Sequence, residues 1–528
     1  MTLLTLDRVS LVAPDGRPLF SDLSLSLGTE RVGLVGRNGS GKSSLLNLIA
    51  DGGVPSEGTI QRGGKMALLS QLPPDDATPV PVVLGIGEAW ARLDRIGRGV
   101  GSETDFDEAD WSLAARVDAL LTELGLPAAI MERRIGTLSG GERTRVMLAK
   151  LLIGAPDMIL LDEPTNNLDA DGRAAIAALL ERWKGGALVA SHDRELLNRM
   201  DRIVELTPIG CRIFGGGWNA FVAAREASRD RAAAELERTS RAVKQAERAK
   251  QTASEKQARR DRVGKAFAAS GSAPKILLGA QKRRAEATAG RASKLGDALV
   301  DEALEARAEA ARAMEIVTPI RFAVPPSGLS SNHILVEAHD LVYAVEGRTL
   351  FGPISFTIKG PERIALTGRN GSGKTSLTRL ILGQAQPQAG SINADQPRIA
   401  LLDQHMSLLD AGPSADASLI ATMQRLNPAL SAHDARAALA SAGFRGSWGE
   451  REVHSLSGGE RVRFALACLF ARPAPPQLLI LDEPTNHLDI EATELLEAAL
   501  TAYDGAILCV SHDTAFREAI GLRREIGL

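Results

Sequence analysis

The chain has 528 residues, of which 44% are hydrophobic and 24% charged, and its formal net charge is −3. This length exceeds a single hydrophobic core, so we expect two or three domains, and the lack of an apolar run of about eighteen residues or a basic leader favours the cytoplasm over a membrane or secreted location. Three scattered cysteines, Cys211, Cys468 and Cys509, supply neither a disulfide framework nor a paired-cysteine metal site.

A phosphate-binding loop is predicted near the N-terminus. Residues 36–43 fit the pattern G-x-x-x-x-G-K-[ST] between an apolar run at 32–35, which predicts a buried strand, and residues 44–49, which predict a helix. The glycines let backbone N–H groups surround an anion, the helix start adds its dipole, and the lysine adds a point charge. The predicted nucleotide-binding residues here are Gly36, Asn38, Gly39, Gly41, Lys42, Ser43 and Ser44.

Four further motifs that can bind ligands or take part in catalysis follow this loop. A helix start with a hydroxyl and two glycines is a second anion site. A carboxylate at a strand end can hold Mg²⁺, and the carboxylate next to it in sequence can polarise a water molecule. The motifs are Gln71 after an apolar run, Ser139, Gly140, Gly141 and Glu142 at a predicted helix start, Asp162 and Glu163 ending an apolar strand, and His192 after the strand-like run 187–190.

The part between Gln71 and Ser139 contains a small predicted insertion at about 90–124. This interval is 68 residues long, 15 longer than the matching interval from Gln404 to Ser457. Residues 89–93 and 113–117 predict helices, and the glycine-rich stretch 97–101 predicts a break between them.

Residues 222–315 predict a basic helical hairpin between two larger domains, 1–221 and 316–528. Helix-forming residues dominate, and glycines with one proline between 264 and 279 indicate a tip between two long antiparallel legs. Between Arg238 and Lys294 there are 16 Lys and Arg against 4 Asp and Glu. This excess predicts either a polyanion-binding element or a solvated helical face.

The second half repeats the motifs of the first half in the same order. The two loop lysines are 332 residues apart. The second set comprises Gly368, Asn370, Gly371, Gly373, Lys374, Thr375 and Ser376 in the loop, then Gln404, then Ser457, Gly458, Gly459 and Glu460, then Asp482 and Glu483, and finally His512.

The complete ordered set, present twice, resembles the ATP-binding cassette superfamily and within it the F subfamily of twin-cassette proteins. The resemblance implies an α/β fold of two P-loop ATP-binding cassette domains, with mixed sheets, flanking helices and helical subdomains, joined by a long α-helical hairpin. It also implies that the cassettes pack head to tail in one chain, so that each loop meets the other cassette's serine–glycine motif across an ATP. A monomeric ATP hydrolase is therefore expected.

The resemblance also assigns roles to the motif residues. The glutamates next to the strand-ending aspartates polarise the attacking water, the histidines sense the γ-phosphate, and the glutamines contact Mg²⁺ and water. The implied catalytic residues are Glu163, Glu483, His192, His512, Gln71 and Gln404. The implied Mg²⁺ ligands are Ser43, Thr375, Gln71, Gln404, Asp162 and Asp482.

One asymmetry between the halves concerns the adenine ring. Tyr343 stands about 25 residues before the second loop, where the family stacks an aromatic residue on adenine, whereas the matching place near residues 11–13 is aliphatic. Adenine is therefore expected to be held less specifically in the first site, unless Val12 or a residue elsewhere packs on the base.

The linker decides between the remaining functions. This linker resembles the F-subfamily element that enters the ribosomal E site and touches P-site tRNA and nearby ribosomal RNA, so the resemblance implies an E-site factor or a ribosome-protection protein. The contact role is carried here to Lys275, Lys282, Arg283 and Arg284. Some members also contact the ribosome through an arm at the position of the 90–124 insertion, which here is equally well a plain surface insertion. A branched-DNA ATPase remains the main alternative. A transporter ATPase subunit and a binding-only protein are less favoured.

Overall fold

The computed structural model describes residues 2–13, 16–69, 75–166, 168, 170–207, 210–269, 295–311, 324–345, 347–369, 371–410, 417–486 and 488–528. The chain divides into two compact units. Unit 1 comprises Met1–Phe221 together with Ile320–Leu528, and unit 2 comprises Val222–Pro319. The exact boundaries of the three predicted domains stay a prediction.

The first half of unit 1, residues 1–221, contains two sheets. An antiparallel sheet has the order β2-β1-β4, and a six-stranded sheet has the order β5-β6-β7-β3-β8-β9, in which only the β8–β9 pair is antiparallel. The strands are β1 (Leu4–Val12), β2 (Pro18–Leu27), β3 (Arg31–Val35), β4 (Glu57–Arg62), β5 (Met66–Leu69), β6 (Met158–Asp162), β7 (Gly186–Ala190), β8 (Arg202–Thr207) and β9 (Gly210–Gly215).

The six-stranded sheet shares a hydrophobic core with the helix Lys42–Ala50 and with the antiparallel sheet. Every residue of β6 and β7 is buried, which explains why these strands are continuous apolar runs and not alternating ones. The helices are α1 (Lys42–Ala50), α2 (Val80–Val83), α3 (Gly87–Gly97), α4 (Glu103–Asp107), α5 (Leu113–Glu123), α6 (Gly140–Leu152), α7 (Ala170–Arg182) and α8 (Arg194–Leu197), with short 3-10 turns at Ala128–Glu132 and Ile135–Thr137.

The second half of unit 1, residues 320–528, has the same plan. Its antiparallel sheet has the order β11-β10-β13, and its parallel sheet has the order β14-β15-β16-β12-β17. The strands are β10 (Ile334–Val345), β11 (Arg348–Lys359), β12 (Arg363–Thr367), β13 (Ala389–Ala394), β14 (Ile399–Asp403), β15 (Leu478–Asp482), β16 (Ala506–Val510) and β17 (Arg524–Gly527).

The described residues of the second half contain seven helices. They are α11 (Lys374–Ile381), α12 (Ser407–Asp410), α13 (Leu419–Leu426), α14 (Ala432–Ser441), α15 (Gly458–Phe470), α16 (Ile490–Ala502) and α17 (Thr514–Ala519), with 3-10 turns at Gln396–Arg398, Gly446–Glu450 and Val453–Ser455. In both halves the carboxyl ends of the central parallel strands meet at one sheet edge, where ligands bind in open α/β sheets.

The predicted insertion is formed by α3, α4 and α5. The break at 97–101 falls between α3 and α4, as the glycines indicated. Asp105, which is only 8% exposed, holds the two helices together by accepting a hydrogen bond from Arg95 and lying 3.7 Å from Arg92. Phe106 and Trp111 are exposed and lie 6.1 Å apart, measured between ring centroids.

Unit 2 contains the two legs of the predicted hairpin. The first leg is α9 (Trp218–Ala269), whose 52 residues span about 78 Å at 1.5 Å per residue, and it begins inside unit 1. The second leg, α10, covers 295–311. Lys250 and Asp297 join the legs through a 2.6 Å ion pair. Gly264 does not end α9, because one glycine costs a helix only about 1 kcal/mol.

The α/β class and the long helical linker are thus confirmed. Within the described ranges, no helix combines the length and apolarity that crossing a bilayer requires. The same ranges contain no cluster of three metal-ligating His, Cys, Asp or Glu side chains.

Candidate active site

The glycines of the two phosphate loops have matching conformations. The first joins β3 to α1, and the second joins β12 to α11. Gly41 and Gly373, the residues before the two helices, have φ of +92° and +97°, and neither helix start has a side-chain cap. The first-turn N–H groups therefore stay available to an anion.

A buried lysine lies inside each loop. Lys42 Nζ donates to the carbonyl oxygens of Gly36 at 2.8 Å and Arg37 at 3.2 Å. Lys374 Nζ makes the matching bonds to Gly368 and Arg369 at the same distances. Burial lowers the pKa of Lys42, so an anion that entered the loop would compensate the cost of keeping this ammonium charged.

A hydroxyl and a carboxylate meet beside each lysine. Thr375 Oγ1 donates to Asp482 Oδ2 at 3.2 Å, and Ser43 forms the corresponding hydrogen bond to Asp162. Burial raises the pKa of both aspartates. Oxygen donors of these two types, held near a phosphate site, are what Mg²⁺ prefers.

The glutamate after each aspartate contacts a histidine. Glu163 Oε1 lies 3.3 Å from His192 Nε2, and Glu483 Oε1 lies 3.5 Å from His512 Nε2. Both glutamates have a positive φ, +47° and +46°, a strained conformation that clusters at functional sites. Burial raises the pKa of Glu163 to about 8 and that of Glu483 to about 7.

Several buried polar atoms of the first site lack a hydrogen-bond partner among the described residues. They are Ser40 Oγ, Asp162 Oδ1, Glu163 Oε1 and both ring nitrogens of His192. Buried polar groups are nearly always satisfied in folded proteins. The donor and acceptor types and their position around the loop therefore fit a nucleotide phosphate, a magnesium ion and a water.

The serine–glycine motifs begin α6 and α15 with capping boxes. The backbone N–H of Ser139 donates to Glu142 Oε2 at 2.8 Å, and that of Ser457 donates to Glu460 Oε2 at the same distance. The serine oxygens in return accept from the glutamate N–H groups, at 3.3 and 3.4 Å. These boxes fix the orientation of each helix start.

The first phosphate loop contacts the second half of unit 1. Arg37 Nη2 lies 2.7 Å from Glu491 Oε2, and the N–H of Asn38 donates to Asp489 Oδ2 at 3.0 Å. Asp489 also caps α16, and its Oδ1 lies 3.8 Å from where a side chain on Gly459 would begin. The first loop therefore faces the α16 start, which packs on the second serine–glycine motif.

The second phosphate loop borders a cavity of about 330 Å³. Gly368, Lys374 and His512 line it from the second half, and Ala170 and Asp171 line it from the first half. Arg369 lies 3.8 Å from Asp171, a longer ion-pair distance than that of Arg37 with Glu491. Each loop arginine thus faces a carboxylate of the other half, and the ion pair is shorter at the first loop than at the second.

The remaining predicted site residues fall into two groups. Gln404 follows Asp403, which pairs with Asp482 in the parallel ladder, so it stands at the same sheet edge as the aspartate. The following lie outside the described residues: Gln71, Asn370, Lys275, Lys282, Arg283 and Arg284.

The sequence did not reveal the contacts between the halves. Asp489, Glu491 and Arg194, which donates to Glu497 of α16, were not among the predicted site residues. Asp489 and Glu491 lie six and eight residues after Glu483, and Arg194 lies two residues after His192. Such proximity does not identify a partner hundreds of residues away.

Comparison with known proteins gives a consistent result. The family model described as ABC transporter matches residues 20–166 and 351–486. ABC transporter F family member 2 of Arabidopsis thaliana is 29% identical over 93% of this chain and 71% of its own. The energy-dependent translational throttle protein EttA of Mycobacterium tuberculosis is 29% identical over 92% of this chain and 84% of its own.

A solved structure of an RNase-L Inhibitor shares the fold. It superposes with a TM-score of 0.56 at 19% identity and covers 99% of this chain and 87% of that one.

Proposed function

The chain belongs to the ATP-binding cassette superfamily, within its F subfamily, and is an ATP hydrolase, and on this premise we propose that it binds the ribosome in its ATP-bound state and acts on translation. The two halves of unit 1 are its two cassettes. The proposed site of action is the cytoplasm, and the proposed active form is a monomer, because both cassettes lie in one chain.

Each cassette contributes the same set of groups to hydrolysis. Lys42 and Lys374, with the N–H groups of their loops, bind the β- and γ-phosphates of ATP, and Glu163 and Glu483 orient and deprotonate the attacking water. Magnesium, held by Ser43 with Asp162 and by Thr375 with Asp482, neutralises phosphate charge when bound. Gln71 and Gln404 are proposed to contact the metal ion and the attacking water.

The histidines hold the glutamates in place and respond to the terminal phosphate. His192 and Glu163 contact each other inside the site, and their unsatisfied atoms are supplied with partners once phosphate and water enter. Loss of the γ-phosphate removes these partners again. This makes the histidine loop the part of the site that distinguishes ATP from ADP.

Two ATP molecules are proposed to lie between the cassettes. The contacts of Arg37 with Glu491 and of Asn38 with Asp489 support this arrangement at the first site, and the cavity shared with Ala170 and Asp171 supports it at the second. Each ATP then links a loop of one cassette to Ser139–Glu142 or Ser457–Glu460 of the other, so hydrolysis releases the link.

The observation that carries the ribosome proposal is a basic stripe on α9. Lys250, through its ion pair with Asp297, marks the face toward α10. Arg241, Arg248 and Arg259 lie nine, two and nine residues from Lys250, so at about 100° per residue they point roughly 160–180° away from it. All three are exposed. They extend over about 27 Å along the helix, a length suited to successive phosphates.

The composition of the stripe favours backbone contact over base recognition. Arginines bind phosphate through planar, two-pronged hydrogen bonding, and aromatic residues for base stacking are not present on this stretch of α9 between Arg241 and Arg259. Recognition of RNA shape is therefore proposed. The tip residues Lys275, Lys282, Arg283 and Arg284 are proposed to extend the same surface. The relative EttA is named an energy-dependent translational throttle protein, which agrees with this proposal.

The test uses a variant that binds ATP without hydrolysing it. The Glu163→Gln, Glu483→Gln double variant is mixed with bacterial 70S ribosomes and either ATP or ADP, and is sedimented through a sucrose gradient. The proposal predicts that it comigrates with ribosomes in ATP and stays at the top in ADP. A double variant that stays at the top in both nucleotides would refute ribosome binding, and branched DNA would then be the next polyanion to test, because phosphate contacts alone do not distinguish RNA from DNA.

A further inference from the structure

Arg194 connects three parts of unit 1 that the hydrolysis mechanism does not itself join. It is the first residue of α8 and directly follows His192 and Asp193. Its guanidinium donates two hydrogen bonds to Glu497 of α16, Nη1 to Oε1 at 2.7 Å and Nη2 to Oε2 at 3.0 Å. The side chains of Arg194 and Glu497 are only 14% and 13% exposed. A two-pronged, largely buried ion pair thus spans the two cassettes.

The same guanidinium lies over an aromatic ring at the start of the linker helix. Arg194 Cζ is 5.6 Å from the ring centroid of Trp218, the first residue of α9. Trp218 is 8% exposed and packs on Phe221, which in turn packs edge-on against Phe214 of β9. Arg194 therefore contacts the residue that anchors α9 to the first cassette.

The other end of α8 is tied to the same segment. The N–H of Asn219 donates to Asn198 Oδ1 at 3.2 Å. A side chain on Gly217 would begin 2.4 Å from the carbonyl oxygen of Asn198, so the backbones touch there. Since α8 contacts the start of α9 at both ends, a displacement of α8 has to displace Trp218 and Asn219 as well.

At the equivalent positions on the other side of the cassette pair, the described residues form no corresponding ion pair. Adding the 320-residue separation of His192 and His512 places Thr514 at the position of Arg194. Subtracting it places Ala177 at the position of Glu497. Neither residue can form an ion pair, so between these two pairs of described positions the link is present for the histidine loop of the first site and absent for that of the second.

We propose that Arg194 is a positioning residue that couples pairing of the cassettes at the first ATP site to the start of α9. When the cassettes are paired, Glu497 holds the guanidinium, which fixes α8 and with it Trp218 and Asn219. When the cassettes separate, both charges are hydrated, since an unpaired charge is costly to bury, and the start of α9 is released. The coupling rests on ATP-driven pairing and not on ribosome binding.

Hydrogen exchange without ribosomes tests this coupling. Amide exchange of residues 218–226 is measured by mass spectrometry in the Glu163→Gln, Glu483→Gln background, with and without ATP. ATP is expected to slow exchange in this segment roughly tenfold. Adding Arg194→Met or Glu497→Gln is expected to abolish that slowing, while ATP-induced protection of the phosphate loops persists and shows that each variant folds and binds.

The matched control is Arg199→Met. Arg199 follows α8 and pairs with Glu181 within the first cassette, so its removal is expected to leave the ATP-dependent slowing intact. The coupling is overturned if ATP causes no slowing in the parent, if slowing survives in both Arg194→Met and Glu497→Gln, or if Arg199→Met abolishes it equally. Glutamine has the same shape as glutamate, and residue 497 lies in the other cassette. If Arg194→Met fails to fold, the result for Glu497→Gln alone therefore decides the test.

Discussion

Leu11 and Tyr343 occupy the same position in the two antiparallel sheets. Leu11 of β1 pairs with Phe20 of β2, and Tyr343 of β10 pairs with Phe351 of β11. In both halves the phenylalanine lies under the glycine before the loop lysine. The Tyr343 ring stacks on Phe351 with centroids 5.9 Å apart, whereas Leu11 offers no ring. At this position the second site therefore has an aromatic ring where the first site has an aliphatic side chain.

The two sites should differ in their affinity for ATP. We predict that Tyr343→Leu weakens ATP binding at the second site by roughly 2- to 12-fold, the equivalent of about 0.5–1.5 kcal/mol for an aromatic pair. Second-site binding is measured by calorimetry in a Lys42→Ala background. Leu11→Tyr, measured in a Lys374→Ala background, should strengthen first-site binding. Equal affinities of Tyr343→Leu and its parent would show that the ring does not contact the base.

Two glycines of the second loop should respond differently to alanine. Gly373 has φ +97°, and a side chain there would begin 2.6 Å from the Phe351 ring, while Gly371 has φ +80° and nothing within 4 Å. Gly371→Ala should cost only the left-handed strain, about 1–2 kcal/mol. Gly373→Ala should lower the melting temperature further, because the ring must also move. Thermal melts that show equal losses would contradict the observed packing.

ATP hydrolysis should increase with pH through the neutral range. Burial raises the pKa of Glu163 to about 8 and that of Glu483 to about 7, and only the deprotonated carboxylate can accept a proton from water. We therefore predict that kcat/KM, which reports the free enzyme, rises between about pH 6 and 8. ATP binding by the Glu163→Gln, Glu483→Gln variant is the control, since glutamine does not titrate. A flat or falling kcat/KM would contradict the assignment of these bases.

The same shifts have an opposite effect on the stability of the nucleotide-free protein. Each glutamate binds its proton more tightly in the folded chain than in the unfolded one, whose ordinary value is 4.5. The contribution of this proton binding to the free energy of unfolding is fully present below about pH 4.5 and is lost as the pH rises through about 7 to 8. The glutamine variant should therefore gain in melting temperature over the parent as the pH rises to 8.

Those parts of the site that are built from residues adjacent in the chain could be predicted from the sequence. A loop between a strand and a helix, a carboxylate at a strand end and a glutamate next to it all follow from residues adjacent in the chain. Lys42, Asp162 and His192 come together because parallel strands end at one edge, and that edge was predictable from the buried apolar runs β3, β6 and β7.

The rest depended on contacts that have no local signal. Arg194 and Glu497 are 303 residues apart, and neither neighbourhood indicates the other. The register that places Leu11 opposite Phe20 includes irregularities along β1, which shift the pairing by amounts that spacing cannot reveal. Gly264 lies within α9 because the flanking residues favour a helix strongly enough to outweigh one glycine.

We propose that the protein holds the ribosome through the outward face of α9 while its cassettes bind ATP. We would sediment the Glu163→Gln, Glu483→Gln variant with 70S ribosomes and ATP after adding Arg241→Gln, Arg248→Gln and Arg259→Gln. The matched control removes three exposed charges from the first cassette instead, by Lys65→Gln, Lys150→Gln and Lys184→Gln. We expect the control to comigrate with ribosomes and the α9 variant to be released. Comigration of the α9 variant to the same extent as the control would refute ribosome binding through this face of α9.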